Sequence, residues 1–209
     1  MNTPIISHSL VHLDLSNSSG ILTAIPESVG PRFETAIGTV IKATRSAGSM
    51  SFHTNVDFAS IMLSPSPGME AAFASDRTYQ FNAPAGAVVI NPAEIDRTLR
   101  WSGTKKNVAV AFGRAAYAAL AATELDGNSW DLRPPKFGHV DLRALRIGTA
   151  MAKELSSTAV NPVYLDALMT VLAVHIIRTY SAHKNTKPMS QAGLAASRPQ
   201  QEVTLRPQH

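Results

Sequence analysis

The stretch that decides the fold runs from Asn82 to Phe112. It reads Asn82-Ala83-Pro84-Ala85-Gly86, Ala87-Val88-Val89-Ile90-Asn91-Pro92, Ile95 to Trp101, Ser102-Gly103-Thr104, and Asn107 to Phe112. Pro84 and Gly86 signal a turn. The run after it is apolar and β-branched and stops at Asn91-Pro92, as a short strand would. Ile95, Arg97, Leu99 and Trp101 share one face of an extended segment, and Asp96, Thr98 and Arg100 share the other. Short strands separated by turns, with no helix between them, predict an antiparallel barrel or sandwich rather than βαβ units.

The same texture continues toward the N-terminus. Ile37, Thr39 and Ile41 alternate with Gly38 and Val40, and Phe58 to Leu63 is a compact apolar run. Ser64-Pro65-Ser66-Pro67-Gly68 reads as a turn. Ser16 to Gly20 and Pro26 to Pro31 are loop signals around Ile21 to Ile25.

Toward the C-terminus the period changes. Ala115 to Ala122 has high helix propensity, with Gly127 as a stop. Asp141 caps a second predicted helix running to about Ser156. Asn161-Pro162 opens a third, because proline suits the first helical position. In that helix Leu165, Leu168, Met169, Leu172 and Ile176 form a stripe, and Val171, Val174 and Ile177 widen it. A helix apolar on most sides needs two things to pack on. One is the barrel, and the other a second subunit, which makes the stripe the expected dimerisation surface. Residues 183–209 are proline-rich and polar and read as a linker and disordered tail. No internal repeat is visible.

Composition narrows the class. The 209 residues are 44% hydrophobic and 16% charged, as in a soluble globular protein. Cysteine is absent, which removes disulfides and thiolate chemistry and fits the cytoplasm. The net charge of +4 is dispersed and forms no nucleic-acid-binding stripe. No basic stretch precedes the first apolar residues, so no signal peptide is expected, and no membrane span either.

Pro84 to Pro92, followed by Arg100-Trp101-Ser102-Gly103, resembles the cupin-like sensor domain of AraC/XylS-type transcription regulators. The strand Val108 to Phe112, the alanine-rich helix and His139-Val140-Asp141 follow in the order of that family. The resemblance covers roughly Phe33 to Leu194 and implies an α+β fold, a cupin-like antiparallel β-barrel followed by two or three α-helices. It implies 1–32 as an N-terminal segment, 33–113 as an effector-binding barrel, 114–183 as a helical dimerisation region and 184–209 as linker and tail. Its implied partners are a small-molecule effector and a homodimer, or a heterodimer with a related regulator. Gln191-Ala192-Gly193-Leu194-Ala195 resembles the junction where the family's double helix-turn-helix begins, but Pro199 interrupts the pattern. The chain is therefore expected to keep the sensor and to lack the part that reads DNA.

The side chains offer little catalytic chemistry. A metal-dependent cupin enzyme needs a His-x-His pair and further ligands, yet the barrel region holds only His53. There is no Gly-x-Ser-x-Gly elbow and no glycine-rich phosphate loop. No metal, cofactor or enzymatic activity is expected, although a stand-alone cupin-type binding protein or enzyme remains the alternative. The candidate ligand-binding residues are His53 at a pocket rim, with Arg97 and Trp101 as an ion-pairing and stacking couple. The competing reading makes Trp101 core and lets Arg97 reach solvent. His175 is expected to be a buried, hydrogen-bonded histidine, and Arg178 to favour the helix dipole.

Overall fold

The computed structural model describes residues 25–74, 77–125 and 131–181. The expected helix stop at Gly127, the linker and tail, the Gly193-Leu194 junction and most of the N-terminal segment lie outside the described residues.

Among the described residues nine strands form two antiparallel sheets. They are β1 (Arg32–Glu34), β2 (Gly38–Arg45), β3 (Gly48–Phe52), β4 (Phe58–Met62), β5 (Ser66–Phe73), β6 (Tyr79–Ala83), β7 (Val88–Asn91), β8 (Arg97–Trp101) and β9 (Lys105–Phe112). One sheet has the order β1-β2-β9-β4-β7 and the other β3-β8-β5-β6. Apart from β1, every step from β2 to β9 except β5 to β6 changes sheet, which is the strand order of a jelly roll. The expectation of a barrel needs one correction. Among the described residues no strand pair joins the two sheets, so they stack as a sandwich and do not close.

Three helices follow: α1 (Arg114–Glu124), α2 (Leu142–Glu154) and α3 (Pro162–Tyr180). The expected starts are where the caps put them. Asp141 Oδ1 accepts from the N–H groups of Arg143 and Ala144 at 3.0 and 2.9 Å. Asn161 Oδ1 accepts from Tyr164 N at 3.1 Å, with Pro162 beside it. Gly148 lets α2 close on β4, because a Cβ there would lie 3.3 Å from Ile61 Cδ1.

The five-stranded sheet is the middle layer. Along β9, Val108, Val110 and Phe112 join a core shared with the helices, whereas Ala109 and Ala111 join the core between the sheets. The same alternation divides Val40 from Ile41 on β2, and Ala59 and Ile61 from Phe58 and Met62 on β4. Both parities are buried, so these strands read as continuous apolar runs.

The helix-side core settles the stripe on α3. Leu165, Met169, Leu172 and Ile176 are buried inside this chain, and Leu168 packs against the same core. They hold α3 onto α1, α2 and the sheet, with Leu168 partly buried, so the stripe is occupied within the single chain. Apolar residues on both its buried face and its outer side make this helix long and apolar enough to cross a membrane by length and composition, with 39% of that window buried inside the fold.

Two turn readings differ in outcome. Ala87 N–H donates to Pro84 O at 3.0 Å, and Gly86 has φ +83°, which closes the expected turn. The turn expected over Ser64 to Gly68 is shorter, because Ser66 to Gly68 already belong to β5. The β5–β6 register shifts between Ser66 and Met69, and this irregularity accommodates Pro67.

Candidate functional site

Between the sheets lies a cavity of about 50 Å³. Its apolar wall includes Phe52, Phe58, Met62 and Leu99. Its polar wall is Arg45, Lys105, Asn107, Asn91 and Ser60, and among the described residues no carboxylate lines it.

The chain places these groups by strand parity and register. Lys105 and Asn107 are in phase with Ala109 and Ala111, so all four point between the sheets. β2 runs antiparallel to β9 and sets Arg45 directly opposite Lys105. Two like charges at opposed positions repel. Here the repulsion is aggravated by burial, since Lys105 is only 4% exposed. Burial first, and the Arg45 charge second, push the Lys105 ammonium down to about 7. Burial alone lowers Arg45 from its ordinary value. The Lys105 ammonium lies 4.0 Å from the centre of the Trp101 ring, across the gap between the sheets. Arg45 Nη1 reaches the Met50 sulfur at 3.0 Å, a weak acceptor.

Arg97 and Trp101 do face inward together with Leu99, as the alternation predicts. Neither is in the wall of this cavity; each touches a residue that is. Trp101 is core, lies under the Lys105 ammonium and donates from Nε1 to Ser46 O at 2.5 Å. Arg97 does not reach solvent either, being 2% exposed. Its Nη1 donates to Asn91 Oδ1 and to Ile90 O, and its guanidinium sits 3.9 Å from the centre of the Phe73 ring. Burial pushes Arg97 down to about 10. Its Nε and Nη2 have no hydrogen-bond partner, and neither does Asn107 Oδ1. Arg97 therefore positions Asn91, and Trp101 positions Lys105.

His53 is elsewhere. Its two ring nitrogens meet Asp96 Oδ1 at 2.9 Å and Glu94 Oε2 at 3.3 Å on the surface, away from the cavity. The Asp96 bond, with Glu94 adding to it, raises this imidazole above its ordinary value. Among the described residues no group of three His, Asp or Glu side chains is placed to hold a metal ion.

Arg45, Lys105, Asn107 and Asn91 are the site residues that sequence reading misses. Their signal is faint. Lys105 and Asn107 alternate in phase with two alanines at the head of a strand, and nothing local says which parity faces a cavity.

A separate polar network ties the helices to the middle sheet. His175 Nε2 and Asp141 Oδ2 are 2.6 Å apart, and Tyr180 Oη donates to the same oxygen at 2.8 Å. His175 is thus hydrogen-bonded as expected, and partly rather than fully buried. Burial pushes the Asp141 carboxyl up, but the Ala144 N–H, His175 and Tyr180 outweigh it and hold it below the usual carboxylate value. Burial, and then the bond to Asp141, raise Tyr180. Asp141 N–H donates to Gly86 O and Val88 N–H to His139 O, so the network abuts the start of β7. Arg178 donates to Glu124 on α1, a bond between helices rather than a dipole effect alone.

A second hollow of about 470 Å³ is walled by Asn55, Asp57, Arg114, Tyr117 and Asp131. Asp131 directly follows residues 126–130, which lie outside the described residues.

No family model matches the chain, and no curated protein does. Several solved structures overlap it in part. An RmlC-like cupin with a double-stranded β-helix fold from Methanocaldococcus jannaschii is 15% identical, with a TM-score of 0.34 over 41% of this chain and 78% of that one. A protein assigned to ethanolamine utilization (protein Q) from Salmonella typhimurium LT2 is 15% identical, with a TM-score of 0.30 over 36% of this chain and 57% of the other. A protein from Neisseria meningitidis is 15% identical, with a TM-score of 0.34 over 48% of this chain and 100% of that one. This chain spans less than two thirds of the Salmonella protein. The fold rests on the strand order given above, which is α+β and cupin-like.

Proposed function

We propose that this chain is the effector-sensing and dimerisation domain of an AraC/XylS-type transcription regulator, working in the cytoplasm and holding a small molecule between its sheets. The observation that carries the reading is the inter-sheet cavity with a buried Lys105 and a half-buried Arg45 in its wall, neither paired with a carboxylate among the described residues. A chain selected only for stability would fill that space with apolar side chains. The strand-then-helix order and the Pro84 to Pro92 and Trp101 to Gly103 motifs support the regulator assignment over other small-molecule binders.

Dimerisation, on this reading, uses the outer side of α3 rather than its buried stripe. Val163, Ala167 and Val171 recur at four-residue spacing and are exposed, and Tyr164 lies beside them. Homodimerisation and pairing with a related regulator would use the same face.

The test is a fusion. The chain is placed ahead of a DNA-binding domain that occupies its operator only as a dimer, and a reporter is read in cells. Operator occupancy that exceeds that of the unfused domain, and that changes with added small molecules, is the expected result. A fusion that leaves occupancy at the unfused level, with a strict monomer in sedimentation at high concentration, would overturn the regulator reading.

A further inference from the structure

We infer that the inter-sheet cavity takes an amphipathic organic anion: a carboxylate seated between Lys105 and Arg45, carried on a small alkyl or aryl body that lies against Phe52, Phe58 and Leu99. This rests on the small-molecule reading above and names the ligand's chemical class.

Charge makes the first part of the case. Lys105 and Arg45 are opposed across the β2–β9 ladder, and both line the cavity. The other strands that line it, β3, β4, β5, β7 and β8, contribute no titratable side chain to the wall. Arg97, behind Asn91, is a second fully buried cation beside Lys105, and Arg45 is half-buried. Among the described residues nothing neutralises this group: Lys105 has a π face, Arg45 a thioether, and Arg97 an amide, a carbonyl and a ring. Buried charges are ordinarily paired. Here the missing partner is negative, and the place left for it lies between the two cations.

Shape makes the second part. At about 10–15 Å³ per water, a cavity of about 50 Å³ has room for a group of roughly carboxylate size, so the organic body is seated only as the lining side chains give way. An inorganic anion would leave the apolar wall without use, whereas a short alkyl or aryl carboxylate uses both walls. Met50, Met62 and Met69 line the space, and their unbranched side chains can repack around the organic body.

A carboxylate arriving beside Lys105 favours the ammonium form, so binding near neutral pH takes up a proton. That follows from the low starting point of Lys105, which burial and Arg45 impose. Arg45 is the other titratable group in the wall and stays charged.

The experiment is calorimetric titration of the full chain with matched pairs, benzoate against benzamide and butyrate against butyramide, repeated in two buffers of different ionisation enthalpy. The expected result is saturation by a carboxylate, its amide at least about tenfold weaker, and net proton uptake on binding. Lys105→Met and Arg45→Met should each weaken the carboxylate by about tenfold or more, while Lys106→Met, on the exposed side of the same strand, should bind as the parent does. Thermal melts of each variant confirm that it is folded. An amide that binds as tightly as its carboxylate overturns the anion assignment and leaves the small-molecule reading intact. Parent-like binding by both cation variants overturns the site. Absence of saturation by either carboxylate up to about 10 mM overturns the inference, and the fusion reporter then judges the regulator reading separately.

Discussion

The two faces of the middle sheet are built from alternate residues of the same strands, yet they do opposite things. Toward the helices, Val40, Ile61, Ile90, Val110 and Phe112 meet Leu165, Met169, Leu172 and Ile176 in a continuous apolar core. Its principal polar intrusion is Asp141, which is hydrogen-bonded to His175, Tyr180 and the N-terminus of α2. Toward the second sheet, the core holds a cavity, opposed like charges and polar atoms without partners. One face is arranged for stability. The other keeps an arrangement that costs stability, and the difference separates scaffold from site.

The largest effect should come from the scaffold face. Leu172→Ala removes a fully buried side chain from the helix-side core and should lower unfolding free energy by about 2–5 kcal/mol. Urea denaturation measures this directly. A loss below about 1 kcal/mol would mean that the face yields easily, and the contrast with the cavity side would fail.

The next effect has the opposite sign. Lys105 sits at about 7 in the folded chain and near 10.4 when unfolded. Between those values the unfolded chain binds more protons, so the parent's stability should rise with pH by at most about 1.4 kcal/mol per unit. Below pH 7 the full penalty of the buried ammonium remains. Lys105→Met keeps the volume and removes the charge. It should stabilise the chain at neutral pH by about 2–4 kcal/mol and flatten the rise between pH 7 and 10. A variant less stable than its parent at pH 7 would show that Lys105 is compensated after all, and the two faces would no longer differ in kind.

The Asp141 network gives a smaller, acid-side effect. Its folded carboxyl is held below its unfolded value, so its contribution is present above about pH 4 and fades as pH falls through the folded value. Asp141→Asn retains a capping oxygen and loses the charge. It should cost about 1–2 kcal/mol at pH 7 and little at pH 2, so that parent and variant converge in acid. Curves that stay parallel from pH 7 to pH 2 would mean that the network does not need the carboxylate.

How far each face is legible in the sequence follows from the same comparison. Caps announce themselves locally, so Asp141 and Asn161-Pro162 place α2 and α3 within a residue or two. Alternation in Arg97-Thr98-Leu99-Arg100-Trp101 gives the correct inward face of β8, because the other side of that strand is solvent. β9 and β2 lie between two cores, and there alternation is masked, since either parity is apolar enough to be buried. The Arg45–Lys105 opposition depends on a register between strands far apart in sequence, and no local pattern encodes that. Weak strands are the other loss. β3 and β6 are rich in Gly, Ser, Gln and Asn and are mostly partly exposed, so propensity does not mark them.

The smallest effect on stability should come from the outer side of α3, and that small size is its use. Val171 is 50% exposed, one turn from Ala167 and five residues from the buried Ile176. Val171→Asp touches neither core, so the folded monomer should lose no more than about 0.5 kcal/mol. If this side of α3 meets a second copy, the same change buries a charge in an apolar contact and should weaken association by at least about tenfold in sedimentation. Leu172→Ala, its neighbour on the buried side, should do the reverse, with a large loss of stability and association altered only in proportion to unfolding. Association unchanged by Val171→Asp would remove the outer face of α3 from the dimer. It would leave Leu142 on α2, which is 63% exposed, as the next apolar residue on the helical layer to test.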